Sequence, residues 1–170
     1  MPVLAQRIGR AKPSAIMAVA EKAKALKAAG RDIISFSIGV PNFLPGPHIY
    51  EAAAEALAKD SGQYGSNRGS DALLDAFLAH LERAGLSGYT RANIATGVGA
   101  KHVLYNFFMA VLNEGDEVVI PAPYWVSYPD QVLLAGGVPV IANTIASDNW
   151  VLTPAELERV VTPRTRVVVI

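Results

Sequence analysis

The stretch "EVVIPAPYWVSYPDQVLLAGGVPVIAN", residues 117–143, predicts a strand, a helix and a second strand in direct succession. Its two ends, "EVVIPA" and "VPVIAN", are short apolar runs that are rich in β-branched residues. The part between them has helical composition and stops at a pair of glycines. Strands that alternate with helices in this way are typical of a parallel sheet whose faces are covered by helices.

The same alternation continues on both sides of this stretch. Before it, "AKHVLYNFFMAVL" (100–112) predicts a helix. After it, "TPAELERVV" (153–161) predicts a helix with a capping box, because Thr153 stands at the N-cap and Glu156 follows three residues later. "TRVVVI" (165–170) predicts a further strand. We therefore predict an α/β fold with a mostly parallel sheet and helices on both of its faces.

The first part of the chain has a different rhythm, with helices more prominent than strands. Apolar residues at helical spacing predict three helices, at 14–29, 47–60 and 71–85. Residues 61–70 have loop composition. The alternating pattern of "DIISFSIGVPNF" (32–43) and the short run "NIATG" (93–97) each predict a strand.

The composition narrows the class of function. Of the 170 residues, 51% are hydrophobic and 18% are charged, which is typical of a globular protein. Fifteen basic and fifteen acidic residues cancel, so the charge pattern favours neither a nucleic-acid partner nor a membrane surface. The apolar runs fall short of the ~20 residues that cross a bilayer. With no cysteine and three widely separated histidines, we expect no metal site, and a small molecule as the partner.

The segment "ATGVGAKH" (95–102) is the first candidate binding site. It predicts a glycine-rich turn that opens a helix, where backbone N–H groups attract an anion and Lys101 adds positive charge. A phosphate suits such a turn. The segment matches neither the dinucleotide fingerprint, because the third glycine is replaced by His102, nor the P-loop. Taken alone, it is equally typical of an ordinary strand-to-helix connection with a solvated lysine.

Three aromatic residues form the second candidate site, namely Tyr124, Trp125 and Tyr128. One strand-helix-strand unit separates them from Gly99, so both features are expected at the same carboxyl edge of the sheet. An indole offers a broad face on which a flat ring can stack. An isolated aromatic cluster more often covers a core, but together the two motifs predict a phosphorylated planar cofactor.

The loop "SIGVPNFLPGPH" (37–48) is the third candidate, since Gly39 lets the backbone approach a ligand and the prolines fix the path of the loop. Taken by itself, the loop is better explained as an ordinary connection between two domains. Tyr64, between glycines in "GQYGS", is by default a surface or interface residue.

The order of several motifs resembles the N-terminal part of the class I aminotransferases. These are pyridoxal-phosphate enzymes of fold type I, and the aspartate aminotransferase branch is the most similar. The resemblance runs from about Lys12 to Ile170 and rests on the following segments: "SIGVPNF", "QYGSNRG", "GVGAKHVLYNFF", "NEGDEVVIPAPYWVSYPDQVLLAGG" and "TPRTRVVVI". It implies pyridoxal 5'-phosphate as the cofactor, an amino acid and a 2-oxo acid as substrates, a homodimer and a cytoplasmic location.

The resemblance also implies roles for individual residues. Trp125 would stack on the pyridine ring of the cofactor. Gly99, Ala100 and Lys101 would lie at its phosphate. Tyr64 would reach the cofactor phosphate of the neighbouring subunit, and the backbone of Gly39 would contact the substrate carboxylate.

The resemblance further implies how the chain is divided. Residues 1–45 would form an N-terminal arm and helix that contribute to the small domain, and residues 46–170 would form the first part of an incomplete large domain. No catalytic residue is expected within 1–170, because the family's Schiff-base lysine is expected beyond Ile170.

Three residues depart from the usual family pattern, namely Val40, Asn42 and Leu74. They leave open another fold type I reaction, such as elimination, decarboxylation or oxidation. A non-catalytic fragment or binding module is the alternative from a different class.

Overall fold

The computed structural model describes residues 4–59 and 62–170, which form two compact units. One unit consists of the described residues up to Pro13 together with Gly97–Ile170, and the other of those within Ser14–Thr96. The first three residues of the predicted N-terminal arm lie outside the described residues, as do Asp60 and Ser61, where the predicted second helix meets the predicted loop. The predicted division into domains at residues 45 and 46 stays a prediction.

A three-stranded parallel sheet forms the centre of the first unit. Its strands are β1 (Glu117–Ala122), β2 (Val138–Asn143) and β3 (Thr165–Val168), in the order β2-β1-β3. Val119 in the middle of β1 is opposite Val140 on one side and Val168 on the other. The predicted parallel sheet is therefore confirmed, with β1 as its central strand.

Alternate residues of β1 point to opposite faces of the sheet, and each face is covered by helices. On one face, Val118 and Ile120 pack with Phe108 of α4 (Ala100–Val111) and with Val132 of α5 (Ser127–Leu134). Val119 packs on the other face, with Ala142 of β2 and Val160 of α6 (Pro154–Val160). All three β1 residues are fully buried, and the prediction of helices on both faces is confirmed.

The second unit contains three helices, α1 (Ala15–Ala28), α2 (Pro47–Lys59) and α3 (Asp71–Arg83). Serine side chains cap two of them, since Ser14 accepts a hydrogen bond from the N–H of Met17 and Ser70 accepts one from that of Leu73. The guanidinium of Arg91 pairs with Asp71 and Asp75 of α3. Short 3-10 helices occur at Gln6–Arg10, Arg91–Asn93 and Ala146–Asp148. Within residues 4–59 and 62–170, no helix has the length and apolar character needed to cross a membrane.

Two predicted strands are wrong. Residues 32–43 are irregular, and the side chains of Ile34 and Phe36 are 81% and 94% exposed. An alternating pattern identifies a possible buried face, but a strand also needs a hydrogen-bonded neighbour, and the described part of this unit holds no other strand. Residues 93–97 also form no strand. Asn93 ends a 3-10 helix, and the N–H and the hydroxyl of Thr96 both donate to the carbonyl oxygen of Arg68.

The predicted capping box of α6 forms only in part. The hydroxyl of Thr153 accepts a hydrogen bond from the N–H of Glu156 at 3.2 Å, as expected. The carboxylate of Glu156 is used elsewhere, because it accepts from the N–H of Asn143 at 2.7 Å and pairs with the guanidinium of Arg159. Glu156 thus connects α6 to the carboxyl end of β2 rather than closing its own cap.

The role of Glu156 makes stability depend on pH. Hydrogen bonds from Arg159 and from the Asn143 N–H lower the pKa of Glu156 from 4.5 to about 2. A lowered carboxyl pKa stabilises the folded state fully above pH 4.5, and this contribution is lost as the pH falls from 4.5 to about 2. Glu156→Gln should therefore lower the free energy of unfolding at pH 7. It should also make that free energy fall less steeply as the pH drops below 4.5, as measured by urea unfolding at several pH values.

Glu158 is an exposed glutamate of the same helix, so Glu158→Gln is the matched control. It should keep the pH profile of the wild type. A profile that is unchanged in Glu156→Gln would contradict the assignment.

Candidate functional site

The turn that precedes α4 is shaped by two glycines and a histidine. Gly99, the N-cap, has a φ of +82°, and its N–H donates to the carbonyl of Gly97 at 2.9 Å. The N–H of Val98 donates to Nδ1 of His102 at 3.0 Å. A Cβ on Gly97 would lie 3.0 Å from that same nitrogen, so the imidazole packs directly against the turn. The turn therefore requires glycine at both positions.

The start of α4 presents unused backbone donors. The first hydrogen bond of the helix runs from the N–H of Val103 to the carbonyl of Gly99, at 3.2 Å. The N–H groups of the residues before Val103, which begin the helix, have no acceptor within it. A Cβ built on Gly99 would meet nothing within 4 Å, so the space in front of the turn is open. Together with the helix dipole, these donors favour an anion at this position.

Trp125 lies beside this helix start. It follows β1 by three residues, after the cis peptide bond between Ala122 and Pro123. Its carbonyl accepts a hydrogen bond from the N–H of Tyr128 at 3.0 Å, which fixes it to the beginning of α5. Its side chain is 54% exposed, and Nζ of Lys101 is 5.5 Å from the centroid of its ring.

These elements enclose one depression of about 440 Å³. Its lining consists of Val98, Gly99, Ala100, Lys101, Leu104, Trp125 and Tyr128. A second, larger depression of about 670 Å³ shares Trp125 and Tyr128 with it, and Tyr124 and Trp150 contribute to its wall. Unpaired N–H groups, a cation and an aromatic face therefore meet in one place.

The structure brings together four of the six predicted site residues, namely Gly99, Ala100, Lys101 and Trp125. Gly39 and Tyr64 belong to the other unit, where both are exposed and lie outside regular secondary structure. The predicted ligand contacts of all six residues stay predictions. Among the described residues, no group of three or more histidine, aspartate or glutamate side chains is arranged to hold a metal ion.

Sequence reasoning missed two residues near this site. Gln131 of α5 donates a hydrogen bond from Nε2 to the carbonyl of Lys101 at 2.7 Å. Its only signal in the sequence is a polar residue on the apolar side of a predicted helix. Trp150 has a φ of +58°, which is unusual for a bulky residue, and its neighbour Asn149 is also left-handed. A sequence does not reveal that backbone conformation, although asparagine tolerates it better than most residues.

Residues 31–170 match the family described as aminotransferase class I and II. The chain belongs to this family. An aspartate aminotransferase from Geobacillus stearothermophilus is 44% identical over 167 residues, which make up 98% of this chain and 42% of that protein. An aspartate/prephenate aminotransferase from Cereibacter sphaeroides is 45% identical over 166 residues, again 98% of this chain and 42% of the relative.

The fold agrees with this family. A solved structure of the aspartate aminotransferase from Thermus thermophilus with maleate is similar over 100% of this chain and 44% of that one, with a TM-score of 0.92 and 38% identity. The predicted resemblance to the class I aminotransferases and to fold type I is confirmed. The chain spans less than half the length of these relatives.

The positive φ of Gly99 leads to a prediction about ligand binding. Gly99→Ala should cost about 1–3 kcal/mol of stability, because its backbone conformation is nearly exclusive to glycine. It should also weaken binding of pyridoxal phosphate, because relaxing the turn moves the donors at the start of α4. Urea unfolding and calorimetric titration measure the two effects.

Gly115 provides the matched control, because it lies in the same unit with a φ of +87° and open space around it. Gly115→Ala should also reduce stability, but the folded fraction should bind pyridoxal phosphate as the wild type does. Equal loss of affinity in the two variants would mean that the Gly99 turn has no specific role.

Proposed function

We propose that the protein is a pyridoxal-phosphate-dependent aminotransferase that moves an amino group between an amino acid and a 2-oxo acid. The observation that carries the proposal is the depression in which the start of α4, Lys101 and the exposed face of Trp125 meet. Membership of the aminotransferase family supports the same reaction.

The donor set suits a phosphate attached to a flat ring. Backbone N–H groups at a helix start bind phosphate through hydrogen bonds and the helix dipole. The ammonium group of Lys101 adds a positive charge at the same wall of the depression. The indole of Trp125 offers a face for stacking, which is worth on the order of 1 kcal/mol beyond the area that it buries. Neither wall alone distinguishes a phosphorylated ring from simpler ligands.

This arrangement indicates which part of the reaction the cofactor would supply and which part the protein would supply. When bound, pyridoxal phosphate supplies the reactive carbonyl carbon and the ring system that accepts electrons during amino transfer. The described residues bind and orient that group. The start of α4 would hold its phosphate, and Trp125 would orient its ring.

The substrate and the assembly belong to the same proposal. The relatives are named aspartate or aspartate/prephenate aminotransferases, which favours an acidic amino acid as the donor. We assign the backbone of Gly39 to the substrate carboxylate and Tyr64 to the cofactor phosphate of a second subunit. Tyr64 is fully exposed in this chain, as a residue that reaches into a partner would be.

The reaction can be tested on the purified protein as its gene encodes it, after its mass has been verified. Pyridoxal phosphate should produce a visible absorption band, and aspartate with 2-oxoglutarate should yield oxaloacetate and glutamate. Product analysis with a panel of amino acids separates amino transfer from elimination, decarboxylation and oxidation. Absence of both cofactor binding and amino transfer would refute the proposal.

The stacking role of Trp125 predicts the effect of one substitution. Trp125→Leu should reduce the affinity for pyridoxal phosphate by roughly five- to tenfold, because the lost ring stacking is worth about 1 kcal/mol. Trp150→Leu is the control, since Trp150 is similarly exposed, at 58%, but lies outside the smaller depression. It should leave the affinity nearly unchanged. Spectroscopic titration of both variants measures the difference, and equal affinities would exclude stacking on Trp125.

A further inference from the structure

A buried glutamine joins the two walls of the depression. Gln131 lies on α5, and only 9% of its surface is exposed. Its Nε2 donates to the carbonyl oxygen of Lys101 at 2.7 Å, although 30 residues separate the two in sequence. This is a direct polar contact between α5 and the first turn of α4.

The two ends of this contact belong to the two halves of the site. Lys101 stands in the helical turn that offers its N–H groups to an anion. Gln131 stands one turn after Tyr128, whose N–H holds the carbonyl of Trp125. The hydrogen bond therefore connects the helix start on one side of the depression to Trp125 on the other through one turn of α5.

Apolar packing between α4 and α5 does not by itself fix the position of the first turn of α4 relative to α5. Phe108 and Val132 pack together in the core, but hydrophobic contact is non-directional. A hydrogen bond has a preferred length and angle, so it selects one position of the first turn of α4 relative to α5.

The other polar atom of Gln131 indicates that this bond has a role beyond stability. Its Oε1 is buried and has no hydrogen-bond partner in the part of the chain that the structure describes. A buried acceptor without a partner is destabilising, and an apolar side chain of the same shape would avoid this cost. Gln131 is thus a poor choice for stability alone, and its donated hydrogen bond is what distinguishes it from such a side chain.

We propose that Gln131 is a positioning residue that sets the separation between the phosphate-binding turn of α4 and the ring-stacking face of Trp125. This inference rests on the proposed function. Gln131 itself does not line the depression. Its effect is specific to ligands that carry both parts, because only these require the two walls to be at one fixed separation.

The first test compares ligands on Gln131→Met, which keeps the shape of the side chain but removes the donor. Affinity for pyridoxal phosphate should fall roughly three- to tenfold, the effect of losing one hydrogen bond. Affinities for pyridoxal and for inorganic phosphate, measured separately, should change little, because each uses one wall. The matched control is Val132→Ala, a core change on the same helix that leaves the Lys101 contact intact.

The second test uses Gln131→Glu and pH. An ionised carboxylate cannot donate to the Lys101 carbonyl, whereas a protonated carboxyl group can. Burial raises the pKa of the introduced carboxyl group, so it should protonate in mild acid. The ratio of variant to wild-type affinity for pyridoxal phosphate, taken at each pH, should therefore recover as the pH falls. This variant also carries the test if Gln131→Met does not fold.

The outcomes separate this inference from the proposed function. Three results would each overturn the positioning role. Gln131→Met could bind pyridoxal phosphate with wild-type affinity, or Val132→Ala could lose as much affinity as Gln131→Met at the same folded fraction. The third is that the affinity of Gln131→Glu, relative to the wild type, does not recover in acid. If the wild type itself binds no pyridoxal phosphate, the proposed function fails. In that case the contact between Gln131 and Lys101 is tested by measuring the rate at which trypsin cleaves after Lys101. The cleavage site is identified from the masses of the fragments. Cleavage should be faster in Gln131→Met than in Val132→Ala, and equal rates would overturn the inference.

Discussion

The burial of β1 on both faces is the constraint on which the candidate site depends. Val118, Val119 and Ile120 are inaccessible to solvent, so helices must cover the sheet on both sides. Because β1 is the central strand of a parallel sheet, its carboxyl end is where the connection to β2 must begin. Trp125 stands in that connection. Helix α4 packs over β1 through Phe108, and its first residues lie next to Trp125. The candidate site is therefore a consequence of the way in which helices cover β1.

Polar contacts then set positions that apolar packing leaves free. Glu117, at the start of β1, is buried and accepts hydrogen bonds from the hydroxyl of Thr162 at 2.6 Å and from Nε of Arg164 at 2.8 Å. The Thr162 hydroxyl, and after it the Arg164 guanidinium, hold the pKa of Glu117 below its ordinary value. The carboxylate therefore stays ionised and fixes the entry to β3. Gln131 makes the equivalent contact between two helices, also with a partner that is distant in sequence.

Local signals made much of this fold predictable. The ends of α1 and α3 follow from Ser14 and Ser70 as caps and from glycines that adopt positive φ just after each helix. The parallel sheet follows from the alternation of strands and helices. The sequence predicts that Lys101 and Trp125 meet because both would follow strands of one sheet. They do meet, but the reason is different, because residues 93–97 form no strand and α4 reaches Trp125 by packing over β1.

Apart from the left-handed backbone at Asn149 and Trp150, the features that could not be predicted depend on partners elsewhere in the sequence. The alternation of residues 32–43 identifies a face but not a neighbouring strand. The spacing of Thr153 and Glu156 is that of a capping box, yet the Glu156 carboxylate binds an N–H that only the folded sheet brings near. A single glutamine in an apolar helix has no motif at all, so Gln131 is recognised only from its contact.

The arrangement of the depression favours a ligand with two chemically different parts. Donors and positive charge lie on one wall, and an aromatic face lies on the other. A ligand that joins an anion to a flat ring gains from both walls only when their separation matches its own length, since the second contact is then intramolecular. That separation is set by packing, which supplies most of the free energy, and by one hydrogen bond, which supplies direction. Under the proposed function, selectivity for a phosphorylated ring would depend on the junction of α4 and α5 as well as on the groups that touch the ligand.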